Sequence, residues 1–194
     1  MRKIYKIYLV FIVAAILLSG CAKMAEEQQA GGDFTQETEN VSFSDGETLS
    51  MPVTFVGQAL EGNSVSSAVL SESKLTMVNV WATYCNPCLR EMPGLGELAK
   101  AYEPETFQII GIISDVQEGA DQKTMNLAAD LIEQTGADYM HLLLNESLYL
   151  ALLTDVTAVP TTFFIDENGV VLETLVGSME KSAWEEKIDA LLEE

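Results

Sequence analysis

Basic residues are scarce in this chain. Ten Lys and Arg stand against 30 Asp and Glu across 194 residues, a formal net charge of −20. No stripe of cations is available to displace counterions, which excludes phosphate-driven nucleic-acid binding. The same shortage argues against docking on anionic lipid headgroups through surface charge. Histidine occurs once, as His141, and cysteine three times, as Cys21, Cys85 and Cys88. A structural zinc site built on Cys85 and Cys88 needs two further Cys or His ligands. His141, in a strand pattern, is the one candidate, so zinc fails on ligand count. Internal repeats are absent, and with 48% hydrophobic residues the chain is no disordered protein.

The N-terminus reads as a targeting segment rather than fold. Arg2, Lys3 and Lys6 precede an apolar run over residues 7–18, and Leu18-Ser19-Gly20 leads into Cys21. The run is shorter than the ~20 residues a membrane-spanning helix needs, and its charge, length and ending are those of a secretory signal. They also resemble the bacterial lipoprotein signal, which implies cleavage after residue 20 and a lipid on Cys21. With Cys21 lipidated, Cys85 and Cys88 remain as a self-contained pair. Residues 21–50 are rich in Glu, Gln, Gly, Ser and Thr, a flexible acidic linker spanning ~30 Å by random-coil scaling. One domain, residues 51–194, is expected beyond it, outside the cytoplasm.

Within that domain the periodicities alternate between strand and helix. Residues 54–70 have hairpin spacing, with a turn at Glu61-Gly62-Asn63. The β-branched run over residues 74–82 suits a central strand, and residues 88–102 carry Leu89, Met92, Leu95 and Leu98 on one helical stripe. A strand is expected over 107–113, and a helix over 123–135 through Leu127, Leu131 and Ile132, ended by Gly136. A strand follows over 139–144 and a short helix over 148–153. Asp166-Glu-Asn-Gly169 joins strands at 161–165 and 170–176. Ser182-Ala-Trp-Glu185 reads as a capping box for a last helix with Trp184, Ile188 and Leu191 inward. This order gives an α/β fold, a mixed central sheet flanked by helices.

The stretch Trp81-Ala-Thr-Tyr-Cys85-Asn-Pro-Cys88-Leu-Arg-Glu91-Met-Pro93 carries the chemistry. In an exported protein a CxxC pair is compatible with a redox dithiol or part of a metal site. A copper site from Cys85, Cys88 and His141 is the metal alternative. The setting favours redox. A strand ends at Trp81-Ala82 and a helix starts at the cysteines, so Cys85 meets free amide N–H groups that lower a thiol pKa from about 8.5 into the range of roughly 3.5–7.5. Cys88 follows one turn later, and Pro87 suits the first helical positions. Cys85 is then the attacking thiolate and Cys88 the resolving thiol. Ala82 stands where a peroxidatic cysteine wants Thr or Ser three residues upstream, which weakens a peroxidase reading.

Three segments in this order, WATYCNPCLREMP, Val159-Pro160-Thr-Thr-Phe-Phe-Ile-Asp and the Asp-Glu-Asn-Gly turn, resemble the TlpA/ResA-like thiol–disulfide oxidoreductases of the thioredoxin superfamily. The resemblance covers residues 51–194 and implies a thioredoxin-like fold with an N-terminal hairpin and a central strand–helix insertion. It implies that Pro160 is a cis proline beside the CxxC, with Val159 exposing backbone to a substrate segment, and that Trp81 packs near the cysteines, either as core filling or as a substrate-facing residue. Thioredoxins proper carry an acid on the strand six residues before the first cysteine. Asn79 holds that position here, so Glu91, three residues after Cys88, is the candidate proton handler. Tyr84 replaces a Trp frequent in relatives, and Gly94 and Gly96 are expected to loosen the helix after Pro93.

The activity implied is dithiol–disulfide exchange with no cofactor beyond the Cys85–Cys88 disulfide. The family implies a reductant of exported disulfides, apocytochrome c among the client classes, resupplied by a membrane donor of the CcdA/DsbD type. A disulfide-forming oxidase or isomerase and a copper carrier are the competing readings.

Overall fold

The computed structural model describes residues 51–193. The signal segment, Cys21 and the linker lie outside the described residues. Among the described residues no helix is long and apolar enough to cross a membrane.

A two-stranded hairpin comes first, β1 (Val56–Gln58) against β2 (Ser64–Ser66), with Gly62 in the turn at φ +95°. It is shorter than its sequence pattern predicts, because Ser67–Glu72 coil into a 3₁₀ turn that buries Val69 and Leu70. The main sheet follows. β3 (Leu75–Trp81) is buried along its whole length and runs parallel to β4 (Phe107–Gln117), which pairs parallel with β5 (Met140–Leu144). On the other side β6 (Thr161–Asp166) lies antiparallel to β3, and β7 (Val171–Val176) antiparallel to β6. The strand order is β5-β4-β3-β6-β7. Central strands covered on both faces have no solvent side, which explains why β3 and β4 read as mainly apolar runs and not as alternating ones. β4 extends four residues past its expected end, through a pairing irregularity opposite β5.

Helices cover both faces. α1 (Asn86–Leu98) and α4 (Lys181–Leu192) pack Leu95, Leu98, Trp184 and Ile188 on Leu75, Met77, Ile109 and Phe164. The opposite face of β3 and β4, with Val78, Val80, Ile110 and Ile112, is closed by Val69, Leu70 and the segment after β5. That segment is α3 (Glu146–Leu148) running into a π-helical turn, Tyr149–Leu153. α2 (Gln122–Thr135) is capped by Asp121, which accepts from the Thr124 amide at 3.0 Å, and ends on Gly136 at φ +68°.

Three expectations need correction. Leu127 is 49% exposed, and the buried stripe of α2 centres on Ala128. The capping box is absent: α4 starts at Lys181 after Glu180, without a side-chain cap, so Ser182 lies inside the first turn. The reason is tertiary, since the loop before α4 is fastened to α1 by the Met179 amide. α1 also runs unbroken through Pro93 to Leu98. Glycine at 96 serves close packing, because a Cβ there would collide with the Gly136 carbonyl at the end of α2.

Candidate redox site

β3 delivers its last residues to the cysteines through a short anchored turn. The Thr83 amide donates to both carboxylate oxygens of Asp115 on β4, at 3.0 and 3.2 Å, and the Cys85 amide to the Ala82 carbonyl at 3.0 Å. Cys85 is the N-cap of α1, and its sulfur accepts from the Cys88 amide at 3.2 Å. A thiolate at Cys85 would keep that N–H and the positive end of the helix dipole as partners. Cys85 and Cys88 are joined in a disulfide with 5.3 Å between their Cα atoms. Cys88 is fully buried, whereas Cys85 keeps a sliver, 5%, of its surface exposed. An incoming thiol or disulfide can therefore meet Cys85 alone, which is the asymmetry that an attacking and a resolving cysteine need.

The Val159–Pro160 peptide bond is cis, and the Val159 carbonyl oxygen lies 3.6 Å from the Cys85 sulfur. A disulfide sulfur has no proton, so this is a contact; a Cys85 thiol would have one to donate. Beside it a groove of ≈ 250 Å³ runs between Tyr84 and Tyr149, floored by Leu153, Val156 and Val159. Tyr84 is 74% exposed and stands over the groove.

Trp81 is placed differently from the substrate-facing side considered for it. It is fully buried beneath the cysteines, with Met92, Ile113 and Leu143 around it. Its indole N–H donates to His141 Nδ1 at 3.1 Å, and His141 Nε2 faces the Ala137 carbonyl at 2.9 Å. This pair of partners sets the tautomer with the proton on Nε2. Burial holds the imidazole well below its ordinary range, at about 4. Both ring nitrogens are engaged away from the cysteine sulfurs, so His141 does not offer the third ligand of a copper site. Tyr139 stacks on the other side of the ring at 4.5 Å between centroids.

Glu91 lies one turn beyond Cys88, 6% exposed, and holds three donated hydrogen bonds. Asn79 Nδ2 donates to Oε1 at 3.1 Å, the Met179 amide to Oε2 at 3.2 Å and the Trp184 indole to Oε2 at 3.3 Å. Desolvation nevertheless outweighs these bonds, and the carboxyl is held above its ordinary value. Asn79 also donates to Thr162 Oγ1 at 3.2 Å. The strand register explains the meeting: Asn79 pairs with Thr162 on one side and Gly111 on the other, and Gly111 pairs with His141. A polar row thus crosses the α1 face of the sheet. Sequence reading found Asn79, Glu91 and His141 but missed Thr162, Tyr139, Asp115 and the Met179 amide. For Trp184, its inward place on the last helix was the one signal available.

Comparison with known proteins agrees with this geometry. The model of the AhpC/TSA family matches residues 50–174. The thiol-disulfide oxidoreductase ResA of Halalkalibacterium halodurans is 28% identical over 139 residues, 72% of this chain and 74% of that protein. The thiol:disulfide interchange protein DsbE of Vibrio cholerae is 29% identical over 188 residues, 97% of this chain and 94% of that one. A crystal structure of a thioredoxin-family thiol:disulfide interchange protein from Chlorobium tepidum TLS superposes with a TM-score of 0.64 at 25% identity, covering 76% of this chain and 99% of the other.

Proposed function

The chain belongs to the AhpC/TSA family as a thiol–disulfide oxidoreductase of the ResA/DsbE type, and from that premise we propose that it reduces disulfides of exported proteins while tethered to a membrane by lipid on Cys21. The single observation that carries the chemistry is the placement of Cys85. It caps α1, it alone of the pair keeps any exposed surface, and the carbonyl of the cis Val159–Pro160 unit lies beside its sulfur.

In the reducing direction, the Cys85 thiolate attacks a client disulfide and one client sulfur leaves as a thiolate. Cys88 then loses its proton to the Glu91 carboxylate and attacks the Cys85 sulfur. The bond between Cys85 and the client breaks, the Cys85–Cys88 disulfide forms, and two electrons have passed to the client. Val159 presents its backbone groups to an extended client segment, with Pro160 holding the loop. The haem-site cysteines of apocytochrome c are one proposed client class, and a membrane thiol carrier of the CcdA/DsbD type is the proposed donor. The acidic surface would steer basic client patches toward the site.

Direction rests on the midpoint potential of the Cys85–Cys88 pair, measured in a thiol buffer. A value near that of thioredoxin, about −270 mV, supports the reductase; one near −120 mV would turn the reading to a disulfide-forming oxidase. Tethering is tested by Cys21→Ala, which should move the protein from the membrane fraction to the soluble extracytoplasmic fraction.

A further inference from the structure

Glu91 is buried under α1, yet it lines a solvent-open cleft that does not include either cysteine. The cleft, ≈ 530 Å³, lies between α1 and the start of α4, with Arg90, Gly94, Ser178, Met179 and Lys181 at its walls. The groove beside Cys85 is a separate cavity bounded by Tyr84 and Val159. Among the described residues, then, two openings flank the redox site: the groove past Tyr84 and Val159 on the Cys85 side, and the cleft lined by Glu91 on the other.

We propose that the Arg90–Lys181 cleft is the proton port of the enzyme, the route by which Glu91 exchanges its proton with bulk water while a client covers Cys85. This rests on Glu91 as the proton acceptor for Cys88. The need for such a port follows from the reaction. When the mixed disulfide forms, the client covers the surface at which Cys85 emerges, and Cys88 is wholly buried behind it. Resolution moves a proton from the Cys88 sulfur to a Glu91 oxygen, and the next turnover needs that carboxylate free again. A proton confined beneath the client would stay on Glu91 until the client departed. Release into the cleft separates proton transfer from client exchange.

The walls suit this task. The Met179 amide holds Oε2 on the cleft side, so the loop before α4 forms both the port and part of the carboxyl's anchor. Glycine at 94 keeps the passage narrow without closing it, since a Cβ there would press to 3.1 Å from Lys181 Cβ. The charged groups around Glu91 are Arg90 and Glu97 from α1, and Glu180 and Lys181 from the head of α4. From the β5 side it faces the Tyr139 phenol, whose ionisation its charge opposes; β3 and β6 present only neutral Asn79 and Thr162. Lys181 is bound to Glu97 at 2.7 Å, whereas Arg90 has no carboxylate partner among the described residues. Two cations face two carboxylates at the mouth, and Arg90, unpaired among the described residues, is the charge that a substitution can reverse.

The test separates the two steps of exchange on the full chain, with a small aromatic disulfide as the client. Mixed-disulfide formation at Cys85 and its resolution by Cys88 are followed by the two successive releases of chromophoric thiol. Ser178→Trp, at an exposed position on the rim, plugs the port; Arg90→Glu reverses the charge at its mouth. The expectation is that both variants form the mixed disulfide at the parent rate. Ser178→Trp should leave the first resolution intact and slow repeated turnover of a folded protein disulfide, with excess dithiol re-reducing the enzyme, about tenfold. Arg90→Glu should move the pH midpoint of resolution upward by roughly half a unit, as a reversed charge several ångströms away does. Glu91→Gln is the reference. If Glu91→Gln alters resolution while Ser178→Trp leaves repeated turnover, and Arg90→Glu the pH midpoint, unchanged, the port is wrong and the Glu91 role stands. If Glu91→Gln also leaves resolution unchanged, the underlying role fails first. Far-UV circular dichroism matching the parent is required of each variant. Should Ser178→Trp fail that check, the Arg90→Glu midpoint decides alone.

Discussion

Asn79 donates its amide N–H to Glu91 Oε1 at 3.1 Å, while its own Oδ1, equally buried, has no hydrogen-bond partner among the described residues. An ionised Glu91 needs a donor at this position, and a protonated Glu91 needs an acceptor. A carboxamide supplies either by turning over, and the Thr162 hydroxyl beside it can accept or donate in step. Asparagine at position 79 thus serves both protonation states of the carboxyl on the next element. An aspartate could not, because two carboxylates at this separation cannot both ionise.

That relationship predicts the behaviour of Asn79→Asp. The variant should bind one proton between the two carboxyls up to well above the ordinary carboxylate range. Its folded form then holds more protons than its unfolded form, so stability is intact below about pH 4 and is lost as pH rises from there through the raised value. At pH 7 we expect a deficit of about 2 kcal/mol against the parent, shrinking toward pH 5. Urea unfolding at the two pH values checks this, and equal deficits at both would contradict it.

Glu91→Gln addresses proton transfer directly. The parent carboxyl titrates above its ordinary value because burial outweighs three donated hydrogen bonds, and Cys88 should become more reactive as Glu91 ionises. The rate at which Cys88 resolves a mixed disulfide on Cys85, followed across pH 5–9, should lose that inflection in the variant. Superimposable curves for parent and variant would remove Glu91 as the proton handler. Its stability signature has the same sign as that of the aspartate: the contribution is present below about pH 4.5 and is lost as pH rises through the folded value.

His141 has the opposite signature. Its folded value of about 4 lies below the ordinary 6.5 because of burial, so the unfolded chain takes up a proton that the folded chain refuses. Stability is full above pH 6.5 and falls as pH drops toward 4, by on the order of 3 kcal/mol across the window. As the one histidine of the chain, it leaves no ambiguity of assignment. A His141→Gln variant, less stable than the parent at pH 7 because Trp81 and Ala137 lose their partner, should show a shallower decline from pH 7 to 5 in chemical unfolding.

What could be read before the structure, and what could not, follows from the range of the interactions. The CxxC at a strand-to-helix junction is local, so Cys85 at the N-cap was legible from spacing alone. Asp166 to Gly169 is likewise local, and the hairpin forms there with Gly169 at φ +81°. The α4 start was misread because Ser182 satisfies a local rule that the loop overrides: the Met179 amide is held by Glu91, 88 residues away in sequence. For Trp81 the sequence leaves core filling and a substrate-facing side equally open, since a residue at the end of a strand can be covered by a neighbour that only strand order reveals. That neighbour is His141, two strands away across Gly111. Register, which no single sequence displays, is also what aligned Thr162 with Asn79.

Gly111 is where that register is most exposed to test. It lies between Asn79 and His141 in the polar row, and a Cβ built on it would overlap the His141 imidazole at Nδ1, the atom that accepts from Trp81. Gly111→Ala should therefore force the ring aside, break the Trp81 hydrogen bond and leave a buried indole N–H unsatisfied. Overpacking of a dense core costs about 1–3 kcal/mol, and the orphaned donor adds roughly 1–3 kcal/mol more. Combining it with His141→Ala makes the two changes compensate in volume, so the double variant should be more stable than the sum of the single losses predicts, by ~1 kcal/mol or more. Strict additivity in chemical unfolding would mean that the ring does not lie over Gly111, and that the link from His141 to the strand carrying Asn79 has been drawn wrongly.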